Sequence, residues 1–97
     1  MLLVAIFEDH PDRIAVRRER MIQHLDFLRL HADVIRTAGS LRAQVDGDPV
    51  GAMWILDVPD VATAEALIAA DPFTIGGLRR GYRLLLYTKA FAEMPPA

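Results

Sequence analysis

The sequence predicts a single small α+β domain of the split βαβ type, with a four-stranded antiparallel sheet carrying two helices on one face. Three observations predict it. Four short apolar runs and two helical patterns follow one another in the order β-α-β-β-α-β. The chain has 97 residues, the size of one domain. Of these, 53% are hydrophobic, more apolar surface than so small a domain readily hides by itself. Such a surplus belongs in a subunit interface or a pocket. A two-fold homodimer is the default expectation, with the uncovered sheet face of one subunit closed by a second copy.

Residues 2–8 (LLVAIFE) form a strand apolar on both faces and hence central in the sheet. Asp9, His10, Pro11 and Asp12 make a turn, and Asp12 is placed to cap the following helix. That helix is expected to run unbroken from Arg13 to about Arg36. Ile14, Met21, Leu25, Leu28, Ala32 and Ile35 make its buried stripe, and charged residues make the solvated face. Residues 37–45 (TAGSLRAQV) form an edge strand, since Arg42 and Gln44 alternate with Leu41, Ala43 and Val45. Asp46-Gly47-Asp48-Pro49 is a hairpin turn leading to a strand over 51–58. A second helix opens at Pro59-Asp60 and runs to Ala70, with Val61, Ala64, Leu67 and Ile68 inward. Gly76, Gly77 and Gly81 punctuate a loop, residues 82–89 form the last strand, and Phe91 to Ala97 is a loose tail or lies on a partner. The domain spans 1–97, with its core in 1–91. There is no repeat and no second domain.

Charge and composition remove several function classes. The net charge of −2, from 11 basic and 13 acidic residues, gives no basic face for nucleic acid. Absent cysteine means no disulfide frame, no thiolate nucleophile and no Cys-ligated zinc. Leu2 to Phe7 is too short to span a membrane and lacks the basic start of a signal peptide. A cytoplasmic location without membrane or nucleic-acid partners is the resulting expectation. No P-loop or dinucleotide fingerprint occurs, so no cofactor is expected.

The residues able to carry chemistry cluster on the first helix. On a wheel at about 100° per residue, Arg17, His24 and His31 share one flank of the apolar stripe, with Arg20 just outside. From that boundary an imidazole could reach a cleft between helix and sheet, where it would carry protons near neutral pH. The wheel alone favours a half-buried surface histidine. His24 and His31 lie about 10 Å apart along the axis, too far to share a metal ion. Asp71 stands where the second helix ends, unfavourable for a carboxylate, so it reads first as the cap of a new turn with Pro72 at its first position. The other reading has Asp71 facing His24 and fixing its tautomer. A carboxylate has two oxygens, so both roles can coexist. Arg17 and Arg20 could hold an anionic group, although with Arg13, Arg18, Glu8 and Glu19 they fit a solvated charged patch better. Ser40 could donate a hydrogen bond; no nucleophile elbow surrounds it. Met53, Trp54 and Phe73 fit core or interface better than a cofactor box.

One combination is more specific than its parts. A strand ending in Phe7-Glu8-Asp9 precedes a helix carrying His24-Leu25. Then come Ala38-Gly39 in a strand, Ala69-Ala70-Asp71-Pro72-Phe73, and the Gly76-Gly77 turn. Over residues 1–91 the chain resembles the YCII-related (YciI-like) family. The resemblance implies a dimeric ferredoxin-like fold and a histidine–aspartate dyad in a cleft, here His24 and Asp71. It also implies a role for Asp9 at the end of the first strand. Phe73 travels with the motif and joins Arg17, Arg20, Ser40 and Asp9 as a candidate ligand contact. Relatives include an enzyme that removes chloride from a chlorinated hydroxyquinol, and the wider superfamily includes muconolactone isomerase and small monooxygenases. Ser40 stands where similar proteins often have proline, and Thr88-Lys89-Ala90-Phe91 replaces a Pro-aromatic pair, so the cleft floor and C-terminal edge differ from that pattern.

Three functions remain open to the sequence. One is a cofactor-independent lyase, isomerase or dehydrohalogenase acting on a small cyclic oxygenated substrate. Another is a module that binds such a molecule without turnover. The third is an assembly partner working through its sheet.

Overall fold

The computed structural model describes all residues 1–97. Its elements are β1 (Leu2–Asp9), a 3-10 turn (Pro11–Arg13), α1 (Ile14–Glu19), α2 (Met21–Leu30), β2 (Ile35–Arg42), β3 (Pro49–Asp57), α3 (Val61–Ala70), α4 (Pro72–Ile75) and β4 (Arg79–Leu86). The sheet order is β2-β3-β1-β4, with every neighbouring pair antiparallel. This is two interleaved split βαβ units, the ferredoxin-like α+β arrangement the pattern predicts. β1 is central and β2 is an edge, as their apolar patterns require.

Strand alternation divides the sheet into two unlike faces. Leu3, Ala5 and Phe7 of β1 and Ala52, Trp54 and Leu56 of β3 point under the helices. There they form one core with Ile35, Val58, Ala64 and Ile68. Phe27 and Leu28 of α2 and Leu67 of α3 pack on it. A second, smaller cluster of Val16, Phe73 and Leu78 lies beside it. The alternate residues Val4, Ile6, Met53 and Ile55 stand half-buried on the other face, which carries no helix. Leu41 and Leu85 continue that apolar surface on the two edge strands.

The first helix departs from the expected single rod. Arg20, at φ −113° and ψ 11°, leaves the helical region and separates α1 from α2. The kink lies where α1 meets the end of α4: a Cβ added at Gly76 would come within 2.8 Å of Val16 and Arg20 side-chain atoms. α2 ends at Leu30, so Ile35 and Arg36 belong to β2, and Ala32 lies in the turn between them. The expected stripe is therefore rotated. Val16 and His24 are the buried residues of these helices, while Ile14 and Leu25 are exposed. Asp12 caps nothing; it sits inside the 3-10 turn, and no side chain caps α1.

The other boundaries follow local chemistry. Asp60 caps α3 by accepting from the Thr63 amide at 2.8 Å and from its hydroxyl at 2.6 Å. α3 stops because Pro72 holds Asp71 extended, at φ −61° and ψ 128°. Gly77, at φ +82°, turns the chain toward β4. β4 begins three residues before the expected start, so Gly81 belongs to the strand and not to the loop. The β2–β3 connection spans residues 43–48, longer than a two-residue hairpin, with a turn closed by the Gly47 amide on the Gln44 carbonyl. Beyond Leu86 there is no helix or strand, and Phe91 and Met94 are exposed.

Candidate active site

A cavity of about 150 Å³ opens between α2 and the β2–β3 edge of the sheet. His24 reaches it from the first turn of α2, Arg17 from α1, Ser40 from β2, Phe73 from α4 and Arg79 from β4. Trp54, Met21, Leu25 and Leu28 supply much of the apolar wall. The site is thus assembled from both halves of the chain.

His24 is the one buried residue of α2. Its side chain is only 10% exposed, and its Nδ1 lies 2.7 Å from Oδ1 of the fully buried Asp71. A carboxylate only accepts, so Nδ1–H is the donor, and the Nε2 lone pair is left without a protein partner on the cleft side. Phe73 fixes the plane of the ring: the two rings stack with centroids 3.9 Å apart and planes 11° from parallel. The same Asp71 Oδ1 accepts the Phe73 amide at 3.2 Å, capping α4. Asp71 therefore holds both the expected cap and the expected contact with His24.

Behind the cleft runs a chain of alternating charges. Asp9 Oδ2 accepts from Arg17 Nη2 at 2.5 Å, and Asp9 Oδ1 accepts from Arg79 Nη1 at 2.8 Å. Arg79 Nη2 lies 3.8 Å from Asp71 Oδ2, an ion pair too long for a hydrogen bond. Arg79, with a side chain 3% exposed, also lies over the ring of Phe7 at 4.5 Å, and its guanidinium carbon is 5.3 Å from the ring centre of Phe73. Arg17 sits 5.2 Å from the Phe73 ring centre. Its Nη1 has no protein partner and is not buried.

Five of the seven sequence candidates are brought together directly: His24 and Asp71 touch, and Arg17, Phe73 and Ser40 line the cleft with His24. Asp9 stands behind the cleft as the acceptor for both arginines. Ser40 is exposed at the rim, its Oγ accepting from Arg42 at 3.2 Å. Arg20 does not line the cleft; it is exposed, with its side chain against Gly76. Arg17 is no member of a solvated patch, since its side chain is 12% exposed and paired. Arg79 was hidden from sequence reasoning. Its one signal is position, two residues after the Gly-Gly turn and level with the acidic end of β1. His31 stands at the end of α2 beside Phe27, ring centres 4.6 Å apart. No group of three or more His, Asp or Glu side chains is gathered to hold a metal ion.

The YCII-related domain model matches residues 1–87. The chain belongs to the YCII-related family. No curated protein matches it. Among solved structures it is similar to 5-chloro-2-hydroxyhydroquinone dehydrochlorinase (TftG) from Burkholderia phenoliruptrix AC1100, in complex with 2,5-dihydroxybenzoquinone. That match has a TM-score of 0.83 at 23% identity and covers 91% of this chain and 94% of the other. An antibiotic biosynthesis monooxygenase superposes with a TM-score of 0.56 at 20% identity, covering 93% of this chain and 99% of that one. An uncharacterised NIPSNAP domain protein from Burkholderia xenovorans gives 0.53 at 15% identity, covering 97% and 100%. At these identities the likeness establishes the shared fold. No helix of this YCII-related chain is long and apolar enough to cross a membrane.

Proposed function

We propose that the cleft is the active site of a proton-transfer enzyme acting on a small cyclic oxygenated substrate, with His24 as the base and Asp71 as its orienting carboxylate. One observation carries this reading: a buried imidazole has one nitrogen committed to a carboxylate at 2.7 Å and the other left free toward a cavity. That arrangement fixes the tautomer and supplies a lone pair where a substrate hydroxyl would lie. The dehydrochlorinase likeness supports the substrate class, a hydroxylated ring. Arg17, which lines the cleft, would hold an anionic oxygen of that ring, and the apolar wall with Trp54 suits the ring's faces.

The chemistry balances without an oxidant. Nε2 takes a hydroxyl proton and returns it to a ring carbon, giving a keto tautomer; this alone is an isomerisation. Where that carbon bears a halogen, Nε2, free again, takes a second hydroxyl proton; the released pair forms a C=O bond, the adjacent ring double bond shifts toward the halogen-bearing carbon, and halide is expelled. The net change is loss of HX.

Purified protein offered a panel of hydroxylated and halogenated hydroquinones, followed by the absorbance of the quinone product, tests this directly. Turnover is expected, reduced about 10²–10⁴-fold in His24→Ala. Full turnover in that variant would contradict the reading. Trp54 is the only tryptophan and lines the cleft, so quenching of its fluorescence reports binding separately. Quenching without product from any of the panel would favour a binding module instead. The same proposal includes a homodimer, supported by the uncovered apolar sheet face.

A further inference from the structure

Two buried polar atoms of the site have no hydrogen-bond partner and face each other: Nη2 of Arg79 and Oδ2 of Asp71, 3.8 Å apart. Buried groups of this kind are ordinarily satisfied, and an exception calls for a reason. Both side chains are closed to solvent, at 3% and 0% exposure, so their charges must be balanced within the protein. The charged groups facing the imidazole are Asp71 from the α3–α4 junction, Arg17 from α1 and Arg79 from β4, with Asp9 of β1 behind both arginines. β2 contributes only the Ser40 hydroxyl at the rim. Arg17, Asp9, Arg79 and Asp71 alternate in sign and sum to zero. The cleft is therefore neutral when His24 is neutral.

We infer that Arg79 is a positioning residue of this site, which sets the charge felt by His24 through Asp71 and aims Arg17 through Asp9. The two halves of the role follow from its geometry. Nη1 donates to Asp9 Oδ1, leaving Oδ2 to Arg17, so Asp9 holds Arg17 against the cleft wall. Nη2 stands near Asp71 Oδ2 without a hydrogen bond. It supports the carboxylate's charge and leaves Oδ1 to the imidazole and the α4 cap. The cation–π contacts with Phe7 at 4.5 Å and Phe73 at 5.3 Å fix the guanidinium where both carboxylates are in range. Arg79 borders the cleft, but its Nε and Nη2 are sealed and its Nη1 is bonded to Asp9, so it acts through the two carboxylates. The inference rests on the reading of His24 as the base, yet its consequence can be measured without substrate.

Removing the Arg79 charge leaves the group net negative beside the imidazole, which favours imidazolium. The test is an NMR titration of His24 in the whole protein, in wild type, Arg79→Met and Arg79→Lys, with circular dichroism as the check on folding. The His24 titration midpoint is expected to rise in Arg79→Met and to stay near wild type in Arg79→Lys, which keeps the charge. A lysine cannot span both carboxylates as a guanidinium does. Wherever turnover is measurable, Arg79→Lys should therefore raise KM through a misplaced Arg17 while the limb of the pH profile set by His24 stays in place. If Arg79→Met folds and leaves the midpoint unmoved, Arg79 is a packing residue and the inference is wrong. If Arg79→Met fails to fold, a midpoint displaced in Arg79→Lys overturns it equally. Absence of turnover on every substrate would sink the enzyme reading alone, because the titration needs no substrate.

Discussion

Asp71 carries three demands on one carboxyl group. Oδ1 accepts both the His24 ring and the Phe73 amide, and Oδ2 faces Arg79. This explains how a carboxylate can stand at the end of α3, where the helix dipole opposes it: its charge is balanced by Arg79, and it begins α4. Phe73 contributes by covering one face of the imidazole, which opposes rotation of the ring. With Nδ1 held, only Nε2 is free to take a proton. Turnover on a suitable substrate should then rise with pH as His24 loses its proton, and this limb should vanish in His24→Ala.

The helical elements show what local chemistry decides and what it leaves to packing. The Asp60 cap of α3 is legible as Pro59-Asp60 ahead of a helical pattern, and the Asp71-Pro72 stop is equally local. Asp60 has its carboxyl held below the ordinary carboxylate value of 3.8, first by the Thr63 hydroxyl and then by the Thr63 amide. A carboxyl depressed in the folded state stabilises above its unfolded value, and that contribution is lost as pH falls through the folded value. Asp60→Asn keeps a good N-cap without the titration. Thermal melts between pH 5 and pH 2 (about the carboxylate range) should show a shallower acid loss in Asp60→Asn than in wild type. The kink at Arg20, by contrast, has no sequence signal, because neither proline nor glycine occurs there. It arises where α1 meets α4, some fifty residues later in the chain. The apolar positions Ile14, Leu25 and Ala32 put His24 at the edge of the expected stripe, whereas the packed face of these helices runs through Val16, Met21, His24 and Phe27. Arg79 was illegible for a similar reason. A register shift in the β1–β4 ladder between Glu8 and Asp9 pairs Asp9 with Arg79, and such a bulge is not readable one strand at a time.

At the scale of the whole molecule, the β-α-β-β-α-β order and the central place of β1, apolar on both faces, were legible in the sequence, and the family resemblance extended over most of the chain. The sheet leaves Val4, Ile6, Met53, Ile55 and their edge neighbours without cover, although 53% hydrophobic composition already asked for such a surface. A contiguous apolar sheet face of this kind on a small domain favours a second copy. Sedimentation should give a dimer for wild type and a monomer for Ile55→Lys, which places a charge at the centre of the face; a monomeric wild type would remove the dimer from the account. The cleft lies on the opposite, helix-covered face, so its residues are not needed for that contact.

The His24–Asp71 pair is the centre of the account, and its most direct test is the titration of His24 by NMR in wild type and in Asp71→Asn. Asparagine keeps an acceptor oxygen for the ring and the cap while removing the negative charge. The His24 midpoint should fall in the variant, because a nearby carboxylate favours imidazolium. An unmoved midpoint would show that the carboxylate does not act on the imidazole, and Asp71 would then be a helix cap alone.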